Sequence, residues 1–144
     1  MEKRLKGKRV LAFVAPIGFR EEEIQQPRHI LESQGTEFKV ASVMQGTCSG
    51  ILGARGKTEL SLDQAQADDF DAVIMVGGAD SLNTFWDSAE LHRVVREAAE
   101  SNKVIGGICL SGAMLARAGV AGGRHLTVCQ TPRTLNELKK AGAR

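Results

Sequence analysis

The sequence predicts an α/β fold in which a mainly parallel sheet carries helices on both faces. Short, nearly continuous apolar runs recur along the chain, as in "RVLAFVA" (9–15) and "DAVIMVGG" (71–78). Runs of that kind mark strands buried on both faces. Segments with helical apolar spacing alternate with them, as in "SAELHRVVREAAESN" (88–102). Such alternation builds βαβ units, whose crossovers place helices over both sides of a sheet. At 144 residues the chain is one domain, with length enough for its own core.

The elements follow in order. "RVLAFVA" is the first strand, punctuated by Pro16 and Gly18. "REEEIQQPRHILESQG" (20–35) reads as a helix: Ile24, Ile30 and Leu31 form its stripe, acids fill its first turn, and Gly35 follows its end. Pro27 inside it predicts a kink or a restart. "EFKVASV" (37–43) alternates as a second strand, and the Gly-rich "GTCSGILGARGKTELSL" (46–62) reads as an excursion or small hairpin. "DAVIMVGG" is the next strand. Ser88 then caps a helix with a stripe of Leu91, Val94, Val95 and Ala98. "KVIGGI" (103–108) is a strand, and "LSGAMLARAG" (110–119) a helix stopped by Gly119. "RHLTVCQ" (124–130) reads as a strand, and "TPRTLNELKKAG" (131–142) as a last helix with Pro132 near its start.

Composition narrows the function classes. An apolar share of 42%, a charged share of 25% and a net charge of +2 are ordinary for a soluble globular protein. The basic cluster "EKRLKGKR" is short and terminal, so residues 1–7 are expected as a solvated tail and not as a nucleic-acid surface. No apolar run reaches membrane-span length and no signal-peptide core precedes the first strand, so a cytoplasmic protein is expected. Three cysteines without CxxC-type spacing make neither a disulfide framework nor a zinc site, and no metal is expected.

Ligands of parallel sheets bind beyond the carboxyl ends of the strands. Three segments fall at that edge: "PIGFREEE", "VGGAD" and "GGICLSG". In the last, Gly107-Ile108-Cys109-Leu110-Ser111 follows the pattern small-x-nucleophile-x-small. A nucleophile on a tight strand-to-helix turn is strained, and only small neighbours leave it room. The helix that follows aims its N-terminal N–H groups at the sulfur, which favours thiolate and predicts a lowered pKa. The Leu110 N–H would point toward an oxyanion. The alternative is a small buried cysteine. Gly77 and Gly78 either form a tight turn, or bring backbone N–H groups close to a substrate, or do both. "GGAD" lacks the third glycine of a dinucleotide fingerprint, so no cofactor is expected. Glu21, Glu22 and Glu23 open a helix, where the dipole favours acids anyway; one of them is a candidate for function. His29, His92 and His125 lie apart from Cys109 in sequence and read as surface or core residues. Trp86 reads as packing, and Cys48 as a bystander or a contact-surface residue.

With these residues in view, the chain resembles the ThiJ/PfpI superfamily, which includes the Parkinsonism-associated deglycase and the PfpI-type intracellular proteases. The resemblance covers residues 8–144 and is carried by "VLAFVAPIGFREEEIQQP", "FDAVIMVGGAD" and "GGICLSGAMLARAGVAGGR". It implies a flavodoxin-like three-layer α/β/α sandwich, a homodimer or higher homo-oligomer, and a cysteine at a nucleophile elbow. Cys109 matches that cysteine. Glu23, four residues before Pro27, matches the glutamate whose carboxyl hydrogen-bonds the sulfur, and a protonated carboxyl there would stabilise thiolate. Gly78 and Leu110 match the backbone donors.

Three departures shape the expectation. Protease-like relatives place His directly after the cysteine, where this chain has Leu110, so peptidase activity is disfavoured. Many relatives place a His or Tyr near the cysteine, in the strand after the nucleophile helix. Matching by strand puts Cys129 there, and matching by Pro132 puts Thr131; the strand match is preferred, because insertions sit more easily in loops. Cys129 would then be near enough to Cys109 to act as a resolving thiol. Relatives also continue past "AGAR" with further strands and a helix, elements this sequence is expected to lack. The expected function is a cysteine-dependent, glyoxalase- or deglycase-like enzyme, or a hydrolase, acting on a small carbonyl or amide-like substrate. The alternatives are a redox-responsive stress protein without turnover, a PfpI-type protease and an inactive binding domain.

Overall fold

In the computed structural model, which describes residues 3–144, the strands are β1 (Arg9–Phe13), β2 (Ile17–Phe19), β3 (Glu37–Ser42), β4 (Gly46–Gly50), β5 (Arg55–Thr58), β6 (Leu60–Ser61), β7 (Ala72–Met75) and β8 (Val104–Gly107). The helices are α1 (Glu21–Ser33), α2 (Ser81–Phe85), α3 (Ala89–Glu100), α4 (Ser111–Arg117) and α5 (Pro132–Lys140), with a 3₁₀ turn over Ala67–Asp69. Five strands form an all-parallel sheet in the order β6-β3-β1-β7-β8. A second sheet, β2-β4-β5, closes the hairpin anticipated in the Gly-rich stretch and adds the short β2 to it.

β1 sits at the centre and its side chains divide between two cores. Val10, Ala12 and Val14 pack with Phe38 and Val40 of β3 and Ile24 of α1. Leu11 and Phe13 pack with Val73 and Met75 of β7 and with Leu91, Val94, Val95 and Ala98 of α3. This period-2 split makes the three layers: α1 and the small sheet, the parallel sheet, then α3 and α4. Full burial of each Val or Leu contributes about 1.5–3 kcal/mol. The Ser88 hydroxyl accepts the Leu91 N–H, as its cap position requires.

Four expectations are corrected. Of the kink or restart expected at Pro27, the restart does not occur, since α1 runs unbroken over 13 residues; a proline's missing N–H costs a helix one hydrogen bond, here the one Glu23 C=O would accept. Ile30 leaves the stripe and is 61% exposed. The segment "RHLTVCQ" is not a strand. It forms no ladder with β8, and the Thr127 carbonyl and Val128 instead lie over Gly112 of α4, where a Cβ would meet Thr127 O at 2.7 Å. Residues 4–7 keep exposed basic side chains, but their backbone turns and docks, with the Leu5 N–H donating to Gln34 O at 3.0 Å. Met1 and Glu2 of the expected tail lie outside the described residues. Among the described residues, no helix is long and apolar enough to cross a membrane.

Because β1, β7 and β8 are parallel, their carboxyl ends share one rim. The turn into α1, the Gly77-Gly78 pair and the Cys109 turn meet there.

Candidate active site

Cys109 occupies the turn between β8 and α4 with φ of 60°, one of two non-glycine residues with positive φ among those described. A side chain there is strained by about 1–3 kcal/mol, a state that persists only where the surroundings enforce it. They do so on both sides. The Ile108 N–H donates to Met75 O at 3.3 Å and extends the β7–β8 pairing up to the turn, and the Ser111 N–H returns to Ile108 O at 3.0 Å. A Cβ on Gly107 would meet Leu115 Cδ1 at 2.9 Å, and Ser111 is fully buried with its hydroxyl unpartnered among the described residues. The small-x-Cys-x-small pattern is therefore a steric requirement. The Leu110 backbone N–H favours the charged form of the Cys109 sulfur.

Glu23 reaches the same sulfur from the first turn of α1. Its Oε2 accepts the Gly77 N–H at 2.7 Å, and its carboxylate lies close enough to the Cys109 thiol to raise that thiol's pKa. Gly77 is small because it lies between the two: a Cβ would stand 2.6 Å from Glu23 Oε2 and 2.8 Å from Cys109 Cβ. The Gly77 N–H, a candidate donor toward substrate, is thus engaged in orienting Glu23. Gly78 has φ of 120° and bridges to Phe19. A Cβ there would meet Gly18 O and the Arg20 N–H nitrogen. No oxygen among the described residues takes the Gly78 N–H.

The expected lowering of the Cys109 pKa is not found. Burial, followed by repulsion from the Glu23 carboxylate and from Cys129, pushes the thiol up to about 11, against the opposing Leu110 N–H. Removing sulfur from water disfavours its charged form, and α4 is only 7 residues long. A second anion beside the Glu23 carboxylate is unfavourable, so the thiol keeps its proton.

The remaining candidates separate. The Cys129 N–H donates to Cys109 O at 3.0 Å, which sets the two cysteines side by side. Thr131 serves α5: its hydroxyl accepts the Thr134 N–H, and the Thr134 hydroxyl closes the capping box. His29 and His125 are exposed. His92 is partly buried on α3, its pKa lowered first by burial and then by Arg96 and Arg117. No histidine is among the groups that act on the Cys109 thiol. Cys48 is buried in β4, and burial raises its pKa. Trp86 packs in the core under the Arg133 guanidinium, 4.0 Å from its ring. Beside it opens a cleft of about 810 Å³ lined by Met44, Asp63, Asp87 and Arg133 among others; neither Cys109 nor Glu23 lines it.

Among the three acids that open α1, Glu21 was not set apart by sequence. Glu21 is buried, its Oε1 accepting the N–H groups of Leu52 at 2.7 Å and Ala54 at 3.3 Å. Its spacing held a signal, since Glu21 precedes buried Ile24 by three positions and extends that face of α1.

The DJ-1/PfpI family model matches residues 8–144. An uncharacterized protein of Methanocaldococcus jannaschii is 40% identical over 144 residues, covering 99% of this chain and 70% of that protein. A deglycase of Thermococcus kodakarensis is 32% identical over 127 residues, covering 88% of this chain and 74% of its own length. Among solved structures, a ThiJ/PfpI domain protein from Brachyspira murdochii superposes with a TM-score of 0.88 at 26% identity, over 96% of this chain and 79% of that one. The chain belongs to the DJ-1/PfpI family.

Proposed function

We propose that this DJ-1/PfpI family member is a cysteine-dependent enzyme acting on small carbonyl compounds, with Cys109 as nucleophile and Glu23 as its proton partner. One observation carries the reading. A carboxyl oriented by the Gly77 N–H stands across Gly77 from a thiol held on a strained turn. The deglycases among the relatives add support.

The first step couples attack to proton transfer. Cys109 Sγ attacks the aldehyde carbon of an α-oxoaldehyde, and the S–C bond forms as the C=O π pair moves onto oxygen. The thiol proton passes to the Glu23 carboxylate in the same step, which makes a high thiol pKa compatible with attack. The N–H groups of Gly78 and Leu110 would receive the oxyanion. Return of the proton from Glu23 completes a hemithioacetal. Its isomerisation to a thioester and hydrolysis by water would release an α-hydroxy acid and restore Cys109. Leu110 leaves no adjacent histidine for peptide chemistry. The unpaired cysteines suit a reducing cytoplasm. Self-association as a homodimer or higher homo-oligomer belongs to the same proposal; Ile17, Ile51 and Leu52 are exposed on and beside the small sheet.

Methylglyoxal turnover by the full chain is the test. Turnover that disappears in Cys109→Ala is the expected result. Equal turnover in that variant overturns the reading.

A further inference from the structure

Two cysteines distant in sequence are joined here by backbone. The Cys129 N–H donates to Cys109 O at 3.0 Å. With standard backbone dimensions, a bond of that length keeps the two Cα atoms within about 7 Å of each other, at the reach of about 4.4–6.8 Å that a disulfide spans. The Cys129 carbonyl is held as well, accepting the Thr134 hydroxyl at 2.8 Å. Residue 129 is therefore fixed from both sides while its neighbours form neither strand nor helix. Both thiols are free, Cys109 half-buried and Cys129 exposed. Cys48 is only 5% exposed within β4.

We propose that Cys129 is a resolving thiol, which captures Cys109 as a reversible intramolecular disulfide when a hydroperoxide oxidises it. Cys109 sulfur attacks the terminal peroxide oxygen, its proton passing to Glu23. The O–O bond breaks, and the alcohol or water leaves with one proton. Cys109 is now a sulfenic acid, oxidised by two electrons, and the peroxide is reduced. The Cys129 thiol then attacks the Cys109 sulfur; the S–S bond forms and the S–O bond breaks, releasing water. Two thiols and one hydroperoxide give one disulfide, one alcohol and one water. The disulfide removes the nucleophile from carbonyl chemistry and shields it from irreversible oxidation. An external dithiol restores it.

This inference rests on the reading of Cys109 as a reactive thiol, and the test separates the two. The reduced full chain is treated with a small excess of hydrogen peroxide, denatured, alkylated, and measured by intact mass and peptide mapping, alongside methylglyoxal turnover. The expected wild-type product has lost two hydrogens, links the peptides containing Cys109 and Cys129, and regains its turnover with dithiothreitol. The Cys129→Ser variant is expected instead to add one and then two oxygens at Cys109, without recovery from the second. Wild-type protein that adds oxygen at Cys109 while Cys129 stays open to alkylation overturns the resolving role alone, as does a disulfide through Cys48. A Cys109 inert to peroxide, and to iodoacetamide up to pH 10, overturns the enzymatic reading with it.

Discussion

Glu21 and Glu23 stand two residues apart in the first turn of α1, and each carboxylate rests against a glycine. Glu21 faces the small sheet, where a Cβ on Gly50 would fall onto its Oε1. Its Oε1 accepts the N–H groups of Leu52 and Ala54 across the hairpin turn. Glu23 faces the parallel sheet, where it takes the Gly77 N–H and meets a thiol. Glu22, between them, pairs with Arg20 in solvent. One helical turn thus aims three identical side chains at three environments. The partner, and not the residue type, sets the role: backbone donors alone make an architectural clamp, while a donor plus a thiol makes the proton partner of the proposed function.

Paired substitutions can break this contrast. Glu23→Gln should cut methylglyoxal turnover by at least about 10²-fold, the usual scale for a lost proton-transfer group, and leave thermal stability nearly unchanged. Glu21→Gln should do the reverse, destabilising by about 1–3 kcal/mol through mispaired buried groups, with turnover kept within a few-fold. Equal turnover losses in the two variants, measured with their melting curves, would erase the distinction.

The glycines sharpen it. Gly77→Ala and Gly50→Ala should each cost about 1–3 kcal/mol of overpacking in chemical denaturation. Alkylation of Cys109 should change only in Gly77→Ala, because only that Cβ meets both Glu23 and Cys109.

The pH dependence follows from the raised thiol pKa. Alkylation proceeds through thiolate, so with the thiol pushed up to about 11 its rate should climb about tenfold per pH unit through pH 9. Glu23→Gln removes a repelling carboxylate and should move that profile to lower pH. A wild-type plateau below pH 7 would show that the thiolate form of the pair prevails instead.

The smallest effect is expected at Thr131. Thr131→Ala loses the α5 cap, about 0.5–2 kcal/mol, and should leave turnover unchanged. A loss of turnover would return Thr131 to the site.

Local rules carried most of the fold because they are local. The two cores follow the alternation in "RVLAFVA", and Ser88 caps α3 where its spacing says it should. The failures share a cause in tertiary partners. "RHLTVCQ" has strand composition but lies over α4 without a ladder partner. Ile30 keeps helical spacing yet faces solvent. At the site, the steric pattern around Cys109 and the glycine pair was readable, since it is written in residue size. The sign of the thiol shift was not. The burial of the sulfur and its repulsion by Glu23 depend on residues distant from Cys109 in sequence, and only the folded chain brings them together.

The positive φ at Cys109 sets stability and chemistry at odds. Glycine would fit this turn without strain, relieving about 1–2 kcal/mol, and would remove the sulfur. A library randomised at position 109 and sorted on heat resistance alone should therefore converge on glycine, whereas sorting on turnover should recover cysteine. Any lineage that keeps cysteine there accepts a less stable protein for the sake of its thiol.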